Sequence, residues 1–166
     1  MGKRKKKSLV MGLVLLLLLW QGHAFTADNQ ETRKTLHDVE PIRVVVEPLK
    51  WAVENAGLKV LQLRNDTELK LRLAGINVVA PNVPGKPSLY VNARVIKFGQ
   101  RDRYVFNIRV ELVQSVSLER SPQVKVDAAT WSTSVTGTSH KLSTVRDQLA
   151  ELVDVFVNAY LSANPG

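Results

Sequence analysis

Hydrophobic and polar residues alternate over two long stretches in the middle of the chain. In 88–98, Leu89, Val91, Ala93 and Val95 fall on one parity, and Tyr90, Asn92 and Arg94 fall on the other. In 104–116, Tyr104, Phe106, Ile108, Val110 and Leu112 share a parity opposite to Asn107, Arg109 and Glu111. Successive side chains of a strand point to opposite faces, so each stretch predicts a strand with one apolar and one polar side. Gly99-Gln100-Arg101-Asp102 joins them as a hairpin loop. After the turn at Arg120-Ser121-Pro122, residues 124–135 predict a third strand, with Val124, Val126 and Ala128 facing one way. Trp131 has the wrong parity for that face, so a bulge near Ala128-Ala129 is expected to return it to the core.

Two further strands flank these three. Ile42 to Glu47 is a β-branched run bounded by Pro41 and Pro48, and Asn77-Val78-Val79 starts another. Trp51 to Gly57 predicts a short helical turn closed by its glycine. Over 58–74, Leu61, Leu63, Leu69, Leu71 and Leu73 alternate as in a strand, but Leu, Lys, Arg and Glu dominate the stretch and favour helix. Leu58, Leu61, Leu69, Leu73 and Ile76 then mark its apolar face, and Gly75 stands where a helix-ending glycine belongs. Near the end, Val145, Leu149, Leu152, Val153, Phe156 and Tyr160 recur at helical spacing, with Ser143 or Thr144 as candidate cap.

The order strand, helix, four strands, helix predicts an α+β fold: a two-layer sandwich. Its mainly antiparallel sheet has about four to five strands, with two helices on one face and the other face in water. Trp51, Trp131, Phe156 and Tyr160 are the expected aromatic anchors of the core. The domain runs over 41–163, and residues 25–40 are expected to form a mobile polar leader.

The start of the chain has a different pattern. Lys3 to Lys7 are five contiguous cations, Leu9 to Trp20 are an apolar run, and Gln21-Gly22-His23-Ala24 offers small residues before a cut after Ala24. That is a secretory signal peptide over 1–24, cleaved on export. Twelve helical residues span about 18 Å, short of the roughly 30 Å of a bilayer core, so no stable membrane span is expected after cleavage. An uncleaved amino-terminal anchor is the alternative. The segment also explains the charge: the whole chain carries +8, and without these five cations 18 basic residues face 15 acidic ones. A surplus of three gives little reason to expect nucleic acid as a partner.

Catalytic chemistry finds few candidates. The chain has no cysteine, which excludes disulfides, thiolate catalysis and a lipidated cysteine. His37 and His140 remain after processing, neither with a partner at metal-ligand spacing, so no metal is expected. Ser132, Ser134 and Ser139 near His140 lack a Gly-x-Ser-x-Gly elbow, and Gly75, Gly85 and Gly99 are isolated, so no phosphate-cradling loop is present. Glu111 and Asp127 are expected to pair with Arg109 or Lys125 on the wet face. Asn65-Asp66-Thr67 fits a glycosylation sequon inside the first long helix.

Tyr90, Asn92, Arg94, Asn107 and Arg109 should lie together on the uncovered side of two paired strands, and aromatic and arginine residues are enriched at binding surfaces. They are the candidate partner-binding face. No cofactor and no enzymatic activity is expected; the chain reads as a periplasmic or secreted module that binds an envelope protein. A small-ligand binder, with a pocket near Trp131, and an enzyme without a recognisable motif are the alternatives.

Thr130-Trp131-Ser132 and the run from Phe156 to Pro165, with Leu89-Tyr90-Val91-Asn92 and Leu73-Ala74-Gly75-Ile76, resemble a group of small bacterial exported proteins of uncharacterised function. At fold level the pattern is similar to envelope modules such as the amino-terminal domain of the Tol translocation protein and auxiliary lipoproteins of transport systems. The resemblance implies a bacterial periplasmic location and brings no catalytic residues.

Overall fold

The computed structural model describes residues 28–99 and 103–165. The expected signal peptide and residues 100–102 of the expected hairpin loop lie outside them. In chain order the elements are α1 (Gln30–Lys34), β1 (Ile42–Val46), α2 (Trp51–Asn55), α3 (Val60–Leu73), β2 (Val78–Val79), β3 (Ser88–Phe98), β4 (Arg103–Leu118), β5 (Ser121–Ser139) and α4 (Ser143–Ala163). The five strands form one sheet in the order β2-β1-β3-β4-β5. The fold is an α+β sandwich. Its sheet is mixed: β1 runs parallel to β2 and β3, while β3, β4 and β5 are antiparallel neighbours. The connection from β1 to β3 explains this, because it crosses over through α2 and α3 instead of turning back in a hairpin.

One face of the sheet is sealed. Val44, Leu89, Val91, Ile108, Val110 and Leu112 are buried there, against Val145, Leu149, Val153 and Phe156 of α4 and Leu63 and Leu71 of α3. Parity carries the register to the edge strand through a bulge. Leu112 stands opposite Trp131, but Val113 stands opposite Ala129, so Thr130 is the extra residue. The shift turns Trp131 inward to 1% exposure, where its ring meets Phe156 edge-on at 5.2 Å and 69°.

Four expectations need correction, the first being the apolar face of α3, where Leu61, Leu69 and Leu73 are exposed and Leu63, Thr67 and Leu71 are buried. Residues 28–40 are not a free leader: Leu36 and Val39 are buried, and Asp38 and Leu36 are bonded to the Asn164 side chain. Apolar residues spaced among polar ones hid this docking from a reading by periodicity. Trp51 is no core anchor; it is 77% exposed, at the first position of α2. Ser143 and Thr144 do not cap α4, which is preceded by Leu142 with no side-chain cap bond; the Thr144 hydroxyl pairs instead with Ser139 at 2.8 Å.

The two glycine-ended helices are as expected. Gly57 and Gly75 take φ of +111° and +83°, and the next residues, Leu58 and Ile76, bond back to the carbonyls of Val53 and Leu71.

Candidate functional site

Among the described residues no helix covers the opposite face of the sheet, and all five expected residues lie on it. Register pairs Asn92 with Arg109 and Arg94 with Asn107 across β3 and β4, and Tyr90 with Glu111. The face is ordered in layers along the strands. At one end Arg43 of β1 donates from Nε to the Ser88 hydroxyl at 2.6 Å and reaches the Val83 carbonyl.

The next layer is centred on Glu47, which follows β1. Its carboxylate accepts from the Tyr90 hydroxyl at 2.7 Å and from the Asn92 amide. This bond, together with partial burial and the nearby negative charge of Glu47 and Glu111, raises the Tyr90 phenol to about 12. The phenol is therefore held as a donor. Glu111 lies beside Arg109, at 3.5 Å from its guanidinium. The expected ion pairing is across strands; the observed pair lies within β4, and Asp127 stands opposite Ser115. Asn107 donates to the Thr136 hydroxyl of β5 at 2.8 Å.

The last layer is apolar. Ile96 and Val105 are directly opposite each other and exposed, and Phe98 lies beyond, 58% exposed, with the Arg103 guanidinium 5.9 Å from its ring centre. Sequence reasoning missed both Glu47 and this patch. Glu47 closes the expected strand over 42–47, and its parity with Arg43 and Val45 places it on the open face. Ile96 and Phe98 carry the same parity as Tyr90 and Arg94, so the alternation itself marks them as outward-facing.

Two of the serines weighed as nucleophiles belong to this face. Ser132 and Ser134 lie on its β5 rim, while His140 is exposed past the end of that strand. His37 is next to the Asp38 carboxylate at 3.0 Å. Among the described residues, no three His, Asp or Glu gather as a metal site, and no helix is long and apolar enough to cross a membrane. The space expected beside Trp131 is taken up by Phe156 and by Asp28, which accepts the indole N–H. A groove of about 300 Å³ does lie between α3 and α4, crossed by ion pairs from Arg146 to Asp66 and from Lys70 to Asp154.

No protein-family model matches the sequence, and no curated protein matches it. Among solved structures, the chain is similar to a PelC dodecamer from Paraburkholderia phytofirmans, at a TM-score of 0.46 and 15% identity over 86% of this chain and 96% of that one.

Proposed function

We propose that this chain is a non-enzymatic, exported binding module whose open sheet face docks an acidic protein surface of the cell envelope. The observation that carries the reading is the division of charge on that face. The carboxylates of Glu47 and Glu111 are engaged within the sheet, by Tyr90, Asn92 and Arg109. Arg94, Arg103 and Arg109 are exposed around the apolar patch of Ile96, Phe98 and Val105. An apolar centre rimmed by arginines suits a partner with apolar side chains set among carboxylates, because opposite potentials steer the encounter and the apolar patch supplies burial.

The signal-peptide pattern of the first 24 residues supports the location. The Glu47 carboxylate is engaged in orienting Tyr90 and Asn92, which supports a binding role for the face.

The test is site-specific photo-crosslinking in the producing cell, with the reactive side chain at Ile96. A discrete adduct is expected, lost when Arg94 and Arg109 are both replaced by Glu, with the melting temperature of the purified variant within about 2 °C of the parent, since exposed substitutions change stability little. An adduct that survives the double replacement, or no adduct from Ile96, Phe98 or Val105, overturns the reading.

A further inference from the structure

We propose a second interaction surface, independent of the open face: the stretch of β5 centred on Lys125, Val126 and Asp127 pairs antiparallel with the same stretch of a second copy of this chain, about a two-fold axis at Val126.

β5 is the last strand of the sheet and is 19 residues long. β3 ends opposite Val113, so β4 and β5 run on past the rest of the sheet as a two-stranded ribbon. The ribbon's outer edge is a row of unpaired backbone donors and acceptors, a template for another strand. Val126, opposite Val116, lies on it at 42% exposure, on the side that faces the helices nearer the core; Val124 is 41% exposed within 122–124, where the register of β5 against β4 shifts. Lys125 and Asp127 lie on the opposite side, and neither is in an ion pair among the described residues.

The occupant follows from the order of these side chains. A two-fold axis normal to the ribbon sets each residue opposite one of the same face, so one residue must sit on the axis. With Lys125 there, lysine opposes lysine; with Asp127 there, aspartate opposes aspartate. Centring on Val124 sets Lys125 against Gln123, Asp127 against Ser121 and Val126 against Pro122. Centring on Val126 sets Lys125 against Asp127 twice, Val124 against Ala128 twice, and Val126 against itself. Opposite charges and apolar pairs across strands are favourable, and like charges are not.

The same register also explains where pairing stops. The next pair outward is Pro122 against Thr130. Proline has no N–H to give, and the Thr130 carbonyl already accepts from the Thr35 hydroxyl of the docked amino-terminal segment at 3.4 Å. Thr130 therefore closes the pairing at one end and the register shift at 122–124 limits it at the other, so Lys125, Val126 and Asp127 form its centre. A lysine on an edge strand ordinarily discourages association; here it rejects the registers that put it opposite another cation.

The experiment is sedimentation velocity on the purified full protein, with Lys125→Asp and Asp127→Lys as single variants. The parent is expected to dimerise, and each variant to weaken association at least tenfold. Mixing the two variants should restore it, because each aspartate of one variant then faces a lysine of the other, whereas either variant paired with itself sets like charges opposite. A parent that stays monomeric up to its solubility limit overturns the proposal, as do variants that associate like the parent or a mixture that does not recover. A second measurement avoids charge altogether. Since the chain has no cysteine, Val126→Cys introduces a single thiol. Opposed residues of antiparallel strands have Cα atoms about 4.5–5.5 Å apart, within disulfide reach. Oxidation should cross-link this variant at least tenfold faster than Val124→Cys, whose thiols lie four residues out of register. Equal rates overturn the register.

Discussion

The indole N–H of Trp131 donates to the Asp28 carboxylate at 3.1 Å, so the most deeply buried aromatic residue of the edge strand is held by the segment that precedes the sheet. Asp28 also accepts two bonds from Arg33 at 2.6 Å, and its carboxyl is held below the usual value of 3.8, chiefly by that guanidinium. Replacing Asp28 with Ala leaves the buried indole donor unpartnered and is expected to cost about 1–2 kcal/mol in a denaturant titration. The pH dependence has a definite sign. A depressed folded pKa gives stability that is complete above 3.8 and is lost as pH falls through the lower folded value. The parent should therefore lose stability below pH 3.8 more steeply than Asp28→Ala; equal slopes would remove Asp28 from the acid limb.

Tyr90 and Tyr160 predict the behaviour at the other end of the pH scale. Both phenols are raised from 10.0 to about 12, Tyr90 first by its bond to Glu47, and Tyr160 first by burial and then by its bond to Glu40. A raised folded pKa contributes stability that is present below pH 10 and is lost as pH climbs toward 12. Ultraviolet titration of the folded protein should show two phenols ionising near 12, and Tyr90→Phe should delete one of them. The same replacement removes a bond to a carboxylate and is expected to cost about 1 kcal/mol. Loss of a phenol that titrates near 10, with both of those near 12 retained, would refute the Glu47–Tyr90 contact.

The strands were readable because alternation maps directly onto two faces. Leu89, Val91, Phe106 and Ile108 are buried, while Arg94 and Arg109 are exposed, and even the bulge beside Trp131 followed from a break in parity. Parity says which side a residue takes, not where the helix layer ends. Val124 and Val126 have the inward parity but lie on the projecting ribbon, past the helices. The docked segment around Leu36 was hidden because so short a stretch has no period, and its order comes from contacts with Trp131, Thr130 and Asn164 far along the chain.

Helix α3 shows the same limit and yields a test. Leu58 and Ile76 are buried, but both lie outside the helix, so including them in its periodicity selects the wrong side. The buried stripe is Leu63, Thr67 and Leu71, at steps of four, with the Thr67 hydroxyl satisfied by the Leu63 carbonyl at 2.8 Å; Leu61, Leu69 and Leu73 face solvent. Leu71→Ala is expected to cost about 2–5 kcal/mol, and Leu69→Ala to stay within about 0.5 kcal/mol. Comparable losses for the two in equilibrium unfolding would mean that the helix is rotated.

Gly137 of β5 gives the last prediction. It stands opposite Phe106, and a Cβ built on it would come within 2.7 Å of the ring's Cζ and 3.1 Å of Cε2. The ring is itself 3% exposed and packed in the core, so it has little room to swing aside. Alanine should suit a strand better than glycine on backbone grounds, by about 0.5–1 kcal/mol. The overlap outweighs that gain, since forcing one methyl into a packed core costs about 1–3 kcal/mol. Gly137→Ala should therefore lower stability, and Phe106→Leu in the same chain should recover part of the loss by vacating the position of Cζ. The four melting curves of that double-mutant cycle measure the coupling between the two sites, and strict additivity would show that the ring does not determine the glycine.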